Sequence, residues 1–469
     1  MRRAKYVVGA LVVVLVSYTL VFSDVTIRTS SNGVKTVSIT SGKGATTQSS
    51  TPAYTLIGWN DLGMHCISPR FKEMAILPPY NNLMVQVIQK GDPPRIITSG
   101  VTLEYAIVNN TTVKGKTDFW QYVKQLFGVA PSPGIGLTGN GLSGKMKAVG
   151  DHFEATGIPI LPYDDKMLWN PYQRATVTMK DTYGKVIGST EVVIPVSDEL
   201  HCEKCHANGG IAAIGINTGT LEENILTLHD LKNGTNLMAH RPVLCASCHS
   251  DNALGMAGKP GIASLSLAMH NRHASLGANM PNCYDCHPGP KTHCNRSAID
   301  GMGPVGNDPR CETCHGTLQQ LADSLHKGRN PWLEEPSCEQ CHGARYSTGK
   351  NLYRNSAGHG GVRCSACHNS PHAWWPSRNP LDNTQPIKLQ GSAGPIGHCQ
   401  VCHNTNPGSG SPHDASPHPT GWRDQHGDYV QQNGTTSCQT CHGFNLTGGV
   451  GPSCYSCHGN VWSSGTGAD

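Results

Sequence analysis

The chain has 469 residues, with 36 Lys and Arg against 32 Asp and Glu, a formal net charge of +4. That balance excludes the strong basic footprint of a nucleic-acid-binding protein, and no basic cluster follows the first five residues. With 54 glycines, 31 prolines, 14% charged and 6% aromatic residues, the chain is rich in loops and poor in side chains that build a core, yet it holds 20 cysteines and 24 histidines.

The amino end reads as a targeting segment. Arg2, Arg3 and Lys5 precede an apolar run, Tyr6–Phe22. A positive start before such a run predicts either an export signal cleaved near Val21-Phe22-Ser23 or an uncleaved N-terminal membrane anchor, and residues 1–24 are assigned to it. Residues 25–52 are rich in Ser, Thr and Gly and are expected to form a flexible linker. Everything beyond is expected outside the cytoplasm: extracellular, at the cell surface or periplasmic.

Residues 53–197 show short β-like runs at Leu83–Ile88, Arg95–Thr98, Val101–Val108, Ala175–Met179 and Lys185–Pro195. The sequence DTYGKV, 181–186, has the composition of a hairpin turn between the last two. Asp118–Phe127 has the pattern of a short helix. The predicted fold for 53–197 is a mainly antiparallel β domain, sandwich-like.

At 198–469 the pattern changes. Cys-x-x-Cys-His occurs nine times, and the copies end in His206, His249, His287, His315, His342, His368, His403, His442 and His458. Their thiols are Cys202, Cys205, Cys245, Cys248, Cys283, Cys286, Cys311, Cys314, Cys338, Cys341, Cys364, Cys367, Cys399, Cys402, Cys438, Cys441, Cys454 and Cys457. This pentapeptide attaches a c-type haem: two thioethers hold the porphyrin vinyls, and the histidine ligates the iron from one face. Zinc and dithiol sites also use Cys-x-x-Cys, but they do not require a histidine directly after every pair. Nine covalently bound haem c groups are therefore expected. The motifs begin at irregular intervals, which argues against a fixed-period solenoid and for one continuous cofactor-organised domain of short helical turns and loops.

Haem iron takes a second axial ligand, and neutral imidazole suits it. Thirteen histidines outside the motifs lie at or after His201. The nine assigned as distal ligands are His201, His229, His240, His273, His326, His359, His398, His418 and His426, with His270, His293, His372 and His413 in reserve. His201 and His398 directly precede a motif cysteine, so each points away from its own iron and is expected to reach a neighbouring one. No histidine follows His458, so the last two haems are expected to draw distal ligands from upstream or from another subunit. Two cysteines, Cys66 and Cys294, lie outside the motifs, each after a histidine. They suit a disulfide joining the two domains, a thiolate site for an extra metal or a haem iron, or a pair of buried free thiols.

The motifs resemble those of extracellular multihaem c-type cytochromes of metal-respiring bacteria and archaea, some of which polymerise into filaments. The segments GWNDLGMHC (58–66), LPPYNNL (77–83), GIPILPYDD (157–165) and CHPGPKTHCNRSAIDGM (286–302) are similar to segments of large cytochromes of that type. The resemblance implies extracellular electron transfer, His/His haems and little regular secondary structure in the haem domain. It brings no catalytic residues. The expected function is electron carriage along closely spaced haems. The competing expectation is a reductase of nitrite, hydroxylamine or sulfur oxyanions, which needs one iron with an open distal position. Expected partners are redox proteins or extracellular electron acceptors, other copies of the chain in a filament, and a membrane through the N-terminus, but not nucleic acid.

Overall fold

The computed structural model describes residues 24–29, 35–40, 53–297, 311–342, 346–349, 351–407, 413, 422–435, 438, 446 and 454. Contacts divide the chain into one unit ending at Ala53 and a second from Tyr54 onward. In the first, β1 (Asp24–Thr29) and β2 (Lys35–Thr40) pair antiparallel, from Asp24 opposite Thr40 to Thr29 opposite Lys35. They lie largely inside the 25–52 stretch expected as a linker. The threonines that look linker-like in composition alternate with Val and Ile, which is also a strand pattern.

The second unit begins with β3 (Tyr54–Trp59), β4 (His65–Cys66), β5 (Met74–Ala75), β6 (Leu83–Gln89), β7 (Arg95–Ile97) and β8 (Thr102–Ile107). Helix α1 (Phe119–Phe127) follows, inside the segment predicted as helical. Strands β9 (Ser143–Lys145), β10 (Lys147–Val149), β11 (His152–Ala155), β12 (Arg174–Lys180), β13 (Val186–Val193) and β14 (Val196–Ser197) complete the N-terminal half. One antiparallel sheet runs β10-β11-β6-β3, with β7 also on β6, and the other runs β13-β12-β8-β9. The predicted 181–186 turn joins β12 to β13: Gly184 N donates to the Asp181 carbonyl at 3.0 Å, and Asp181 N to that of Lys185 at 2.9 Å.

The two sheets close on a shared apolar core. Ala175, Val177 and Met179 alternate inward along β12 and meet Leu56, Val85 and Val87 of the first sheet within it. Gly58 sits where β3 meets β13; a Cβ there would stand 2.3 Å from Val192 Cγ2, so only glycine fits without displacement. The outer face of β3 and β6 is also covered. Ile57, Trp59 and Ile88 pack with Ala366, Trp375, Ile396 and Val401, which come from the motif-bearing half.

Past residue 198 no sheet forms among the described residues except the two-residue β15 (Val243–Leu244), which pairs parallel with β5; likewise β14 pairs parallel with β4. Helices here are short: α2 (Glu203–His206), α3 (Leu221–Asn233), α4 (Leu265–Ala274), α5 (Cys311–His315), α6 (Leu318–His326), α7 (Glu339–His342), α8 (Cys364–His368), α9 (Thr384–Gln390) and α10 (Trp422–Asn433). The longer ones have clear starts. Thr220 with Glu223, and Thr317 with Gln320, form reciprocal capping boxes for α3 and α6, and Ser264 caps α4. No helix among the described residues is long and apolar enough to cross a membrane.

Candidate haem sites

Each described motif winds into about one helical turn. The histidine N–H donates to the carbonyl of the first cysteine in four of them: His206 to Cys202 at 2.9 Å, His249 to Cys245 at 3.0 Å, His287 to Cys283 at 2.9 Å and His403 to Cys399 at 2.8 Å. The motifs at 311 and 364 are α5 and α8. Such a turn brings residues one and five to one side of the backbone, as a porphyrin held at its edge and ligated at its centre requires. No disulfide joins the described cysteines, Cys66 and Cys294 included. Cys66 lies on β4 beside Ser197, whose hydroxyl is 3.4 Å from that of Thr292, two residues before Cys294. Burial pushes both thiols up, Cys294 to about 11. No three His, Cys, Asp or Glu side chains gather at one point among the described residues, so the extra-metal reading for this pair gains no third donor there.

Six motif histidines each face a histidine from outside the motifs at nearly constant spacing. Ring centroids lie 6.4 Å apart for His206 and His273, 6.3 Å for His249 and His229, and 6.2 Å for His287 and His270. They lie 6.1 Å apart for His315 and His372, 6.2 Å for His403 and His359, and 5.9 Å for His368 and His413. A metal–imidazole bond of about 2 Å, added to about 1.1 Å from nitrogen to ring centre on each side, gives about 6.2 Å for two rings sharing one ion. A direct N–H···N bond of about 3 Å would bring them about 1 Å closer. Interplanar angles range from 22° to 83°, as rotation about a metal–nitrogen axis permits. The residues therefore fit a six-coordinate iron between two imidazoles at these six places.

Several of these rings are oriented by their other nitrogen. Nδ1 of His249 donates to the Ala263 carbonyl at 2.8 Å, that of His270 to Ser266 at 2.7 Å and that of His273 to Met269 at 2.7 Å. A carbonyl only accepts, so the proton sits on Nδ1 and Nε2 keeps the lone pair a metal needs. Burial, and then the neighbouring rings, push His287 and His372 down to about 4, so both are neutral at neutral pH. Neutral imidazole is the ligating form.

Of the nine histidines assigned as distal ligands, His229, His273 and His359 face a motif histidine, and so do His270, His372 and His413 from the reserve. The others are placed differently. His201 is held at both nitrogens, by Glu203 at 3.0 Å, Glu199 at 3.3 Å and the Gly289 carbonyl at 3.0 Å. His326 bonds the Asn271 side chain at 2.9 Å. His240 is exposed, with Nδ1 on the Asn236 carbonyl at 2.7 Å, and His398 is exposed at the start of its own motif turn. His293 has a left-handed backbone and packs on Tyr284, and His426 lies on α10. The side chains of Cys341 and His342, and residues His418, Cys441, His442, Cys457 and His458, lie outside what is described.

Neighbouring motifs adjoin. Cys283 lies beside Cys311, and Cys286 lies near Cys202 and Cys205. Cys364 lies near Cys338, and Cys367 near Cys402. Helix α4 carries His270 and His273 three residues apart, each facing a different motif. His372, which faces His315, stands four residues beyond the motif histidine His368.

The sandwich also reaches into these sites. The Thr55 hydroxyl donates to the Val401 carbonyl, and Gly91 N to that of Cys402 at 3.4 Å. Asp151 accepts from Arg363 Nε on Oδ2 and from Nη2 on Oδ1, a bidentate pair beside Cys364. Gly63, at φ +90°, touches the chain before His372; a Cβ there would lie 1.9 Å from the Pro371 carbonyl oxygen.

No family model and no curated protein matches this chain. Among solved structures, the crystal structure of MtrC from Shewanella baltica OS185 aligns over 63% of this chain at 14% identity, with a TM-score of 0.14. The alignment spans 45% of that chain, less than half its length.

Proposed function

We propose that the chain binds c-type haem at its nine Cys-x-x-Cys-His motifs and carries electrons between bis-histidine irons. The observation that carries this reading is the set of six histidine pairs at 5.9–6.4 Å, each joining one motif histidine to one outside the motifs. When bound, haem iron supplies one-electron redox chemistry. The chain's own groups fix the imidazoles, keep them neutral and set motifs beside one another, so that porphyrins held by adjoining thiols come close enough for electrons to hop. A site with protein ligands on both sides of the iron has no vacant position for a substrate, which favours carriage over reduction at these six. An exported carrier of this kind would exchange electrons with redox proteins or extracellular acceptors, and stacking of copies would extend the chain of haems.

The test is to purify the mature holoprotein, count covalent haem by pyridine haemochrome and intact mass, and record the ferric EPR spectrum. The reading expects nine haems and low-spin iron. A high-spin iron that binds nitrite or cyanide would favour the reductase, and absence of covalent haem would remove the proposal.

A further inference from the structure

The turn between β6 and β7 lies against the axial histidine of the 399–403 motif. Asp92 Oδ1 accepts from His403 Nδ1 at 3.0 Å. Its other oxygen accepts from Thr405 N at 3.0 Å and from the Thr405 hydroxyl at 2.8 Å. The opposing ring, His359, is placed from the same sheet: Gln86 of β6 donates to the Gly361 carbonyl at 3.2 Å and accepts from Arg363 N at 2.8 Å. The sandwich thus grips both sides of this one site.

We propose that Asp92 is a tuning residue, which holds the iron between His403 and His359 at a lower reduction potential than a site whose motif histidine gives Nδ1–H to a carbonyl, such as His249. The proposal rests on the reading that these pairs hold haem iron. Two effects point the same way. A carboxylate accepting from Nδ1–H makes the imidazole a stronger donor to the metal, and outer-shell hydrogen bonding is one of the levers on a haem potential. A fixed negative charge also favours the ferric state, which carries one more positive charge than the ferrous. At His249 the acceptor is a neutral carbonyl, Ala263 at 2.8 Å, and neither effect operates with that strength. The couple is one electron taken up by Fe(III) to give Fe(II), and the His403 proton stays on Nδ1 in both states. The sandwich is then more than a support: its edge turn sets one step of the electron path.

The experiment is a spectroelectrochemical titration, with EPR, of holoprotein carrying Asp92→Asn and, separately, Thr405→Val. Asp92→Asn removes the charge and weakens the acceptor. One haem component should move to higher potential, one low-spin EPR signal should shift, and haem content should stay at the wild-type value. Thr405→Val removes a hydroxyl donor from the same carboxylate, which leaves that carboxylate a stronger acceptor for His403. The same component should then move to lower potential, the opposite sign. A merely structural role would not produce opposite signs. If Asp92→Asn loses haem, Thr405→Val alone decides. Unchanged titrations with full haem, or shifts of the same sign in both variants, overturn the proposal. Wild-type protein without covalent haem would instead overturn the functional reading beneath it.

Discussion

The sandwich and the motif-bearing half belong to one compact unit, yet different things hold them. In the sandwich, inward residues of two sheets close a core of their own, including Leu83, Val85, Leu103, Ile158, Val177 and Met179, all at 0% exposure. Between 202 and 407 the described buried apolar residues are sparse, and those that cluster do so against the N-terminal half: Ala366, Trp375, Ile396 and Val401 on β3 and β6, and Leu244 and Ala246 on α1 and β5. Large apolar side chains such as Ile214 and Leu231 stay exposed there, at 78% and 71%. One half is specified by its own side chains, and the other leans on the first half's outer face and, on the proposed reading, on bound haem. On that reading, bound haem would offset the conformational entropy that so few core residues leave uncovered.

The largest expected effect breaks the halves apart. When the chain is produced without c-type haem attachment, hydrogen exchange should find 54–197 protected and most of 202–407 exchanging freely. Equal protection in both would end the comparison. Next comes the ligand assignment. His372→Ala should turn one iron high-spin in EPR, while His201→Ala should leave every site low-spin; the reverse would show that the side chain in the HCEKCH run ligates after all.

The junctions of the motif half should respond more strongly than its exposed loops. Arg296 and Asp382 form a buried bidentate pair at 2.6 and 3.1 Å, and Ser377 also donates to Asp382. Removing one charge, as in Asp382→Asn, should cost about 3–5 kcal/mol in guanidinium denaturation of the holoprotein, because it strands the other. A loss under about 1 kcal/mol would mean that the pair is hydrated in solution. Within the sandwich, Gly58→Ala should cost about 1–3 kcal/mol through overpacking against Val192, read as a lower thermal midpoint.

The smallest effect is a pH dependence. Burial alone would raise the Asp61 carboxyl, but the His65 ring at 2.8 Å and the Asn82 amide at 2.6 Å outweigh it and hold the carboxyl below its ordinary 3.8. A depressed carboxyl stabilises the fold above the unfolded value and loses that contribution as pH falls through the folded one. Stability of the sandwich should therefore decline from about pH 4 downward, and Asp61→Asn should flatten that decline. A decline that begins near neutrality would point to other groups.

How much of this was legible follows the same division. Strands β6, β8, β12 and β13 announce themselves by apolar runs, and the 181–186 turn by its Asp and Gly. Strand β3 does not. It buries Leu56 toward one core and Ile57 and Trp59 toward another, so it lacks the alternation of a half-exposed strand. The motif cysteines and histidines are plain in the chain because the Cys-x-x-Cys-His pattern is local. Distal pairing is not local. His201 and His398 are favoured by adjacency to a motif, whereas the reserves His270, His372 and His413 face motif histidines that no adjacency marks. The signal that could have found one of them is the spacing His270-x-x-His273, which sets two imidazoles on one side of a helix. Asp92 was invisible for the same reason: nothing near it in sequence connects it with residue 403.

The most direct measurement is a cryo-EM or crystal structure of the mature holoprotein that places the irons. An iron is expected midway between the rings of His206 and His273, His249 and His229, His287 and His270, His315 and His372, His368 and His413, and His403 and His359. Irons ligated by other residues, or those histidine pairs bridged by no iron, would contradict it.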